Sequence, residues 1–429
     1  MDSTSRGRQS RLLTPNCNGS NSGPYCVVDN CVSHKAKWHL GTQPIYFIYH
    51  SGSNATLNVG GQAWAADWCP IPNTKKTSGV SQYLAIAPSP GNMSMKKILV
   101  KPGTIQLWNC GKLAHELRES DVTLSVIMLH EFGNVNKMLW CPSGAWSPPE
   151  DGQRLGLLAM ACSDGTVRII SVPHPENIKD DLTKMAAFKV KASVTLDRGT
   201  EGIRSHNCLC MDWSKTDGHT SLVAGFSDGA VALWDLSTTS PLLKTEDSGT
   251  IVIKPFRTFY AHTDMTTDVT FCSYRSDVIV TATSQHFLSV WNLSDTRNPV
   301  GGIRRGYQTQ IMWAPFWKFA CFSQDEAYSV DVSPWLNCIV HGNQVGEVVA
   351  HIGKVNHKLS KFCRFVSICI FHVGQLGQHF HKKIFSFALS SFTSQLSDSP
   401  SQTNMLASKL KKHVCLNSIL FCSNFSVDY

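Results

Sequence analysis

The sequence predicts an all-β repeat fold, and three observations carry that prediction. Four segments align without gaps as a turn followed by a strand: Pro102-Gly-Thr-Ile-Gln-Leu-Trp108, Asp164-Gly-Thr-Val-Arg-Ile-Ile170, Asp228-Gly-Ala-Val-Ala-Leu-Trp234 and Gln285-His-Phe-Leu-Ser-Val-Trp291. An apolar strand precedes each turn, and a third strand ending near an aromatic residue precedes that one. Asp-Gly pairs suit two-residue hairpin turns that need positive φ, and the alternating apolar positions after them suit half-buried strands.

Taken in chain order, each unit shows the same three parts. The aromatic-ended strands are Trp64-Ala-Ala-Asp-Trp68, Val135-Asn-Lys-Met-Leu-Trp140, Cys208-Leu-Cys-Met-Asp-Trp213 and Thr267-Asp-Val-Thr-Phe271. The middle strands are Leu84-Ala-Ile-Ala, Leu157-Leu-Ala-Met-Ala, Leu222-Val-Ala-Gly and Val278-Ile-Val-Thr-Ala. Stretches 71–81, 88–101, 143–153 and 173–200, rich in Pro, Lys, Ser or Asp, suit surface loops. Two weaker units follow: Ile311-Met-Trp313 with Tyr328-Ser-Val-Asp-Val, then Leu336-Asn-Cys-Ile-Val with Gly346-Glu-Val-Val.

Composition excludes several classes. Twelve Trp and twenty Phe in 429 residues can bury a large apolar area, which disordered chains lack. No apolar run reaches the ~18 residues of a membrane-spanning helix, so a soluble protein is expected. The N-terminus has basic residues without an apolar core segment, so no secretory signal is read, and sixteen Cys point to reduced thiols in cytosol or nucleus. Residues 354–429 carry +7 of the formal charge of +8, which leaves the remaining 353 residues nearly neutral at +1. All twelve Trp lie between Trp38 and Trp335, while nine Phe and thirteen Ser crowd into the last 76 residues. Three regions are expected: a flexible extension over 1–40, a repeat body over 41–352, and a basic Ser/Phe-rich tail over 353–429 outside the repeat. The tail reads as translated noncoding sequence rather than a selected domain.

Meander units closing on Trp234-Asp-Leu and Trp291-Asn-Leu resemble the WD repeat of β-propellers. The unit from Ala261-His262 to Trp291-Asn292 matches that family's Gly-His to Trp-Asp interval of 29 residues, with Ala261 in place of Gly. Trp64-Ala-Ala-Asp-Trp-Cys-Pro-Ile-Pro, Leu139-Trp-Cys-Pro-Ser-Gly-Ala-Trp146, Arg154-Leu-Gly-Leu-Leu-Ala-Met-Ala-Cys-Ser-Asp-Gly165 and Ser171-Val-Pro-His-Pro-Glu176 are similar to the WD-repeat subunit of general transcription factor IIIC. That resemblance covers roughly residues 40 to 352. It implies a WD40-type β-propeller, here degenerate and incomplete, with five to six blades or part-blades. It also implies a nuclear, non-enzymatic scaffold that binds sister subunits at the internal promoters of tRNA and 5S RNA genes transcribed by RNA polymerase III. Promoter DNA would be met mainly through the complex. No cofactor, metal, membrane or small-molecule substrate is expected. Family members carry a long polar N-terminal region and a further C-terminal propeller segment that this chain lacks, so it reads as a shortened member.

Within the repeat register, Trp68, Trp108, Trp140, Asp164, Gly165, Trp213, Asp228, Gly229, Trp234, His262, Thr281 and Trp291 are structural positions. His262, Thr281 and Trp291 fall where a WD blade buries a hydrogen-bond network, although Gln285 stands where Asp would complete it. Pairing His262 with Asp264 or Thr281 as base and nucleophile is the catalytic alternative, which the register already explains as satisfied polar groups. Cys26 with Cys31, Cys208 with Cys210, and the tail's Cys363, Cys369, His372, His379 and His381 follow no zinc-module spacing. Basic pairs Lys75-Lys76, Lys96-Lys97 and Arg304-Arg305 suit solvated loops; Arg304 and Arg305 are the nominated contacts to DNA or a partner. A generic WD adaptor in another complex is the competing role, and a propeller enzyme the more distant one.

Overall fold

A computed structural model describes residues 25–27, 47–51, 54–59, 62–71, 80–89, 103–112, 122–143, 145–146, 154–178, 185–199, 206–216, 218–273, 275–285, 287–304, 310–313, 320–322, 327–333, 338–343, 347–353 and 365–372. The chain divides into two compact units, Met1–Phe259 with Ser423–Tyr429, and Tyr260–Cys422. Among the described residues the elements are strands, apart from a one-turn 3-10 segment at Pro175–Asn177.

In the first unit, Gln62–Trp68, Ser81–Ser89, Gly103–Lys112 and Val122–His130 form an antiparallel meander. A second meander contains Val135–Trp140, Arg154–Cys162, Val167–Pro173 and Val194–Leu196. A third contains Cys208–Trp213, Ser221–Phe226, Ala230–Asp235 and Arg257–Tyr260. The second unit holds Thr266–Cys272, Arg275–Thr283, Phe287–Asn292 and Gly301–Arg304 in a fourth. A fifth runs Ala327–Ser333, Cys338–Asn343, Glu347–Gly353 and Phe365–His372. Thr250–Ile253 and Lys244–Asp247 extend the second sheet beyond Val194–Leu196, and two-stranded sheets stand at Phe47–Ser51 with Asn54–Asn58 and at Ile311–Trp313 with Ala320–Phe322.

The sequence repeat becomes a cross-strand row in four sheets. Trp68 faces Leu84, which faces Trp108. Trp140, Leu158 and Ile170 align the same way, as do Trp213, Leu222 and Trp234, and Phe271, Ile279 and Trp291. Side chains alternate faces along a strand, so registering these three positions sends a large apolar group from each strand to one face. Apart from half-buried Trp68 the rows are buried: Leu84, Leu158, Leu222, Trp234 and Ile279 show no exposed surface, and each such side chain contributes roughly 1.5–3 kcal/mol of transfer free energy.

Three expectations change on contact with the structure. The Asp-Gly pairs do not make two-residue turns. Gly229 N–H donates to Phe226 O at 3.1 Å and Gly165 N–H to Cys162 O at 3.1 Å, so Asp and Gly are the third and fourth residues of wider turns. Gly229 at φ 82 and Gly165 at φ 87 supply the left-handed residue that returns the chain to the strand. The stretch 173–200, expected as loop, supplies Met185–Lys189, which lies parallel on Val122–His130, and Val194–Leu196, the fourth strand of the second sheet. Tyr328-Ser-Val-Asp-Val does not share a sheet with Ile311-Met-Trp313. It joins Cys338–Asn343 and Glu347–Gly353 in one sheet, because its β-branched residues pair with the adjacent apolar strand across a short connection.

Strands also form in the stretches expected to lie outside the body. Tyr25–Val27 pairs in parallel with Met185–Lys189. Phe365–His372, the most continuous apolar run of the tail, pairs with Glu347–Gly353 along seven residue pairs. The remaining tail and most of the N-terminal extension lie outside the described residues.

Candidate functional site

The nominated polar residues do not converge on one pocket; each builds the interior of its own sheet. In the fourth sheet Trp291 donates its indole N–H to Thr281 Oγ1 at 2.9 Å, and His262 Nε2 lies 2.8 Å from the same oxygen. Thr281 has no exposed surface. Burial lowers the His262 pKa to about 4, so the imidazole is neutral at pH 7. Asp264 turns away from this trio, accepting Met265 N–H at 2.8 Å and Ser284 O–H at 2.7 Å. His262, half-buried, and fully buried Thr281 are therefore a hydrogen-bonded pair within the sheet, and Asp264 serves Met265 and Ser284.

The other two turn carboxylates meet arginines. Asp228 accepts both terminal nitrogens of Arg198 at 3.0 and 2.8 Å, and the Arg198 guanidinium carbon sits 4.5 Å from the Phe226 ring centroid. Burial raises the Asp228 pKa, but hydrogen bonding and charge from Arg198, with the Ala230 N–H, outweigh it and leave it lowered. Asp164 accepts Arg168 at 2.6 Å and the Thr166 hydroxyl at 2.7 Å, while Arg168 stacks 4.6 Å above Phe132. Phe132 in turn stacks on buried His130, whose pKa burial lowers to about 4. These arginines close turns, whereas in the fourth sheet His262 reaches Thr281 within a strand and the turn residue Ser284 donates to Asp264.

Neighbouring sheets are joined by side chains that the repeat reading passed over. Asp67 Oδ2 accepts Trp140 N–H at 2.7 Å, and the Asp67 carbonyl accepts the Trp140 indole N–H at 3.1 Å. Asn136 donates to Cys208 O at 2.7 Å, linking the second sheet to the third. In the second unit, buried Asp268 accepts Ile311 N–H at 2.8 Å, tying the fourth sheet to the pair Ile311–Trp313 and Ala320–Phe322. The Asp-Trp dipeptides at 67–68 and 212–213 were the available sign of such polar groups on first strands.

The remaining nominated tryptophans are anchors. Trp108 Nε1 reaches Gln106 Oε1 at 3.0 Å, and buried Gln106 reaches Val59 O at 2.8 Å. Trp213 Nε1 donates to His219 O at 2.7 Å and Trp234 Nε1 to Ile253 O at 3.1 Å. Trp68 is half-buried, with its main-chain N–H donating to Asp67 Oδ1 at 3.0 Å. Arg304 ends its strand opposite Phe287, but its side chain, and Arg305 entirely, lie outside the described residues. Seven described cysteines are buried and form no disulfide, and among the described residues no three metal-ligating side chains gather. No helix among them is long and apolar enough to cross a membrane.

Comparison with known proteins agrees with this geometry. The WD domain, G-beta repeat model matches residues 122–171, which run from the fourth strand of the first sheet into the third strand of the second. The chain is 31% identical over 344 residues to human "General transcription factor 3C polypeptide 2", covering 68% of this chain and 37% of that relative. It is 27% identical over 187 residues to the fission yeast "Transcription factor tau subunit sfc6", covering 43% of this chain and 28% of the relative. A zebrafish "WD repeat and SOCS box-containing protein 1" is 28% identical over 116 residues, 26% of this chain and 24% of the relative. The chain thus spans little more than a third of the human relative's length. With its repeated aromatic rows and WD match, it is a degenerate WD40-type β-propeller protein homologous to general transcription factor 3C polypeptide 2.

Proposed function

We propose that this chain is a non-enzymatic scaffold subunit of a transcription factor IIIC complex, acting in the nucleus in transcription by RNA polymerase III. The observation that carries the reading is the 344-residue similarity to general transcription factor 3C polypeptide 2. The geometry supports a scaffold. Its polar constellations are spent on closing turns and joining sheets, and propellers offer loops and strand edges to partners. The body, 41–352, is the scaffold proper; sister subunits are its partners. Its net charge of −2 favours contact with promoter DNA through the assembly rather than through this chain.

Affinity capture of the tagged full chain from nuclear extract, followed by mass spectrometry, tests the reading. Recovery of the other factor IIIC subunits is expected. Recovery of a different defined complex would replace the reading with that of a WD adaptor, and recovery of chaperones alone would overturn it.

A further inference from the structure

We propose that Ser240 is a phosphoacceptor, modified by a protein kinase that reads a serine followed by proline. The residue lies where the chain leaves the third sheet at Ala230–Asp235 and crosses to the second at Lys244–Asp247. There Ser240 O accepts Leu243 N–H at 3.1 Å and Lys244 N–H at 2.9 Å, and Pro241 takes the second position of the turn so made. The fold thus uses the carbonyl of Ser240 and leaves its hydroxyl spare. Ser237 Oγ donates to Asp235 Oδ1 at 2.6 Å, and Thr238 Oγ1 accepts Ser240 N–H at 3.4 Å. The Ser240 hydroxyl itself has no hydrogen-bond partner among the described residues.

Access and surroundings set this serine apart. Ser240 is half-buried, Pro241 is exposed and Leu242 is 83% exposed, so the residues a kinase must grip after the acceptor stand clear of the sheets. Ser89, the other serine before a proline whose side chain is described, is 4% exposed. Two cations flank the site. Lys244 places its N–H on Ser240 O, and Lys254 N–H donates to Leu243 O at 2.7 Å, so both side chains start within one turn of the hydroxyl. Both are exposed, and neither holds an ion pair among the described residues. A phosphoserine adds about −1.5 to −2 of charge and three acceptor oxygens, which ammonium groups pair with. In the transfer, Ser240 Oγ attacks the γ-phosphorus of Mg-ATP and forms the new O–P bond. The bond from that phosphorus to the bridging oxygen breaks, ADP leaves, and the hydroxyl proton passes to a carboxylate of the kinase. The phosphate then clasps Lys244 and Lys254 and stiffens the crossing between the two sheets.

The purified full chain, Mg-ATP and kinases of the cyclin-dependent and mitogen-activated classes test the site, with phosphate mapped by mass spectrometry. Phosphorylation of Ser240 is expected within about tenfold of the rate for the free peptide Thr-Thr-Ser-Pro-Leu-Leu-Lys, since only turn hydrogen bonds have to open. Pro241→Ala should slow it about tenfold or more, whereas a proline serving the turn alone would, on removal, leave the serine at least as accessible. The phosphorylated chain should melt about 1–2 °C above the unmodified chain, a gain lost in the double variant Lys244→Gln, Lys254→Gln. Absence of phosphate from Ser240 with every kinase, a rate below that range, or an undiminished rate in Pro241→Ala would overturn the assignment. A gain in melting temperature that survives without the two lysines would overturn the clasp.

Discussion

Asp67 binds Trp140 twice, through its carboxylate to the main-chain N–H at 2.7 Å and through its own carbonyl to the indole N–H at 3.1 Å, across 73 residues of sequence. One aspartate thereby joins the first strands of two successive sheets. Asp67→Ala removes the acceptor and leaves the N–H of a buried residue unpaired. A hydrogen bond to a charged group is worth about 1.5–3 kcal/mol, so a loss of about that size is expected in chemical denaturation. Asp67→Asn, which keeps an oxygen, should cost less, and equal costs for the two would argue against the clip.

Arg198 and Asp228 form a pair whose side chains are only 7% and 11% exposed. Arg198→Ala strands the carboxylate and also uncovers Phe226. Breaking a buried pair from one side costs about 3–5 kcal/mol, the expected drop in unfolding free energy. Arg198→Lys should recover part of it, since a lysine keeps charge but not the two-pronged contact. The double variant Arg198→Met, Asp228→Asn should be less damaged than Arg198→Ala alone, and a cycle of these substitutions measures the coupling.

Thr281 serves two partners at once, Trp291 and His262. In Thr281→Val the shape is kept and the indole N–H is left buried without its acceptor, with an expected cost of about 1–3 kcal/mol. The coupling between Thr281→Val and His262→Ala should be non-additive, because both remove the same contact. Additive losses would mean that the 2.8 Å approach contributes nothing.

Acid should unfold the protein through two histidines. The His130 and His262 pKa values fall from 6.5 in the unfolded chain to about 4 in the folded one. Between those values the unfolded chain binds more protons, so stability is full above pH 6.5 and declines as pH drops toward 4. Denaturation midpoints measured across this window should fall, and the slope should flatten in the double variant His130→Gln, His262→Gln. An unchanged slope would assign the acid sensitivity to carboxylates.

Gly103 begins its strand against the His130 ring. A Cβ there would lie 2.5 Å from His130 Cε1 and 2.8 Å from Nε2, with Gly133 O at 3.3 Å. The ring is held by its stack on Phe132 and cannot swing aside freely. Gly103→Ala is expected to cost about 1–3 kcal/mol as an overpacked site, read as a lower denaturation midpoint. Adding His130→Ala to it should restore part of the loss; a Gly103→Ala chain as stable as the parent would show that the ring yields.

Much of the molecule could be read before any coordinates. The aromatic rows, Trp213 with Leu222 and Trp234 among them, follow from spacing, because an antiparallel pair of fixed turn length sets which residues face each other. The Thr281, His262 and Trp291 trio was legible for the same reason. The extra parallel strands were not. Met185–Lys189 lies in a stretch whose polar neighbours suit a loop, and nothing in a short apolar run says that it will pair with residues some sixty positions earlier.

Local pattern therefore settled the repeated antiparallel strands, their faces and the all-β repeat, since turn geometry and side-chain alternation act over a few residues. Which carboxylate clips which sheet, which arginine closes which turn, and which edge stays open among the described strands depended on assembly. Asp67 to Trp140, Arg198 to Asp228 and Asp268 to Ile311 are hydrogen bonds between residues 73, 30 and 43 apart. Their distances exist only once whole sheets have packed, because a directional bond of about 3 Å demands a placement that no periodicity in the chain encodes.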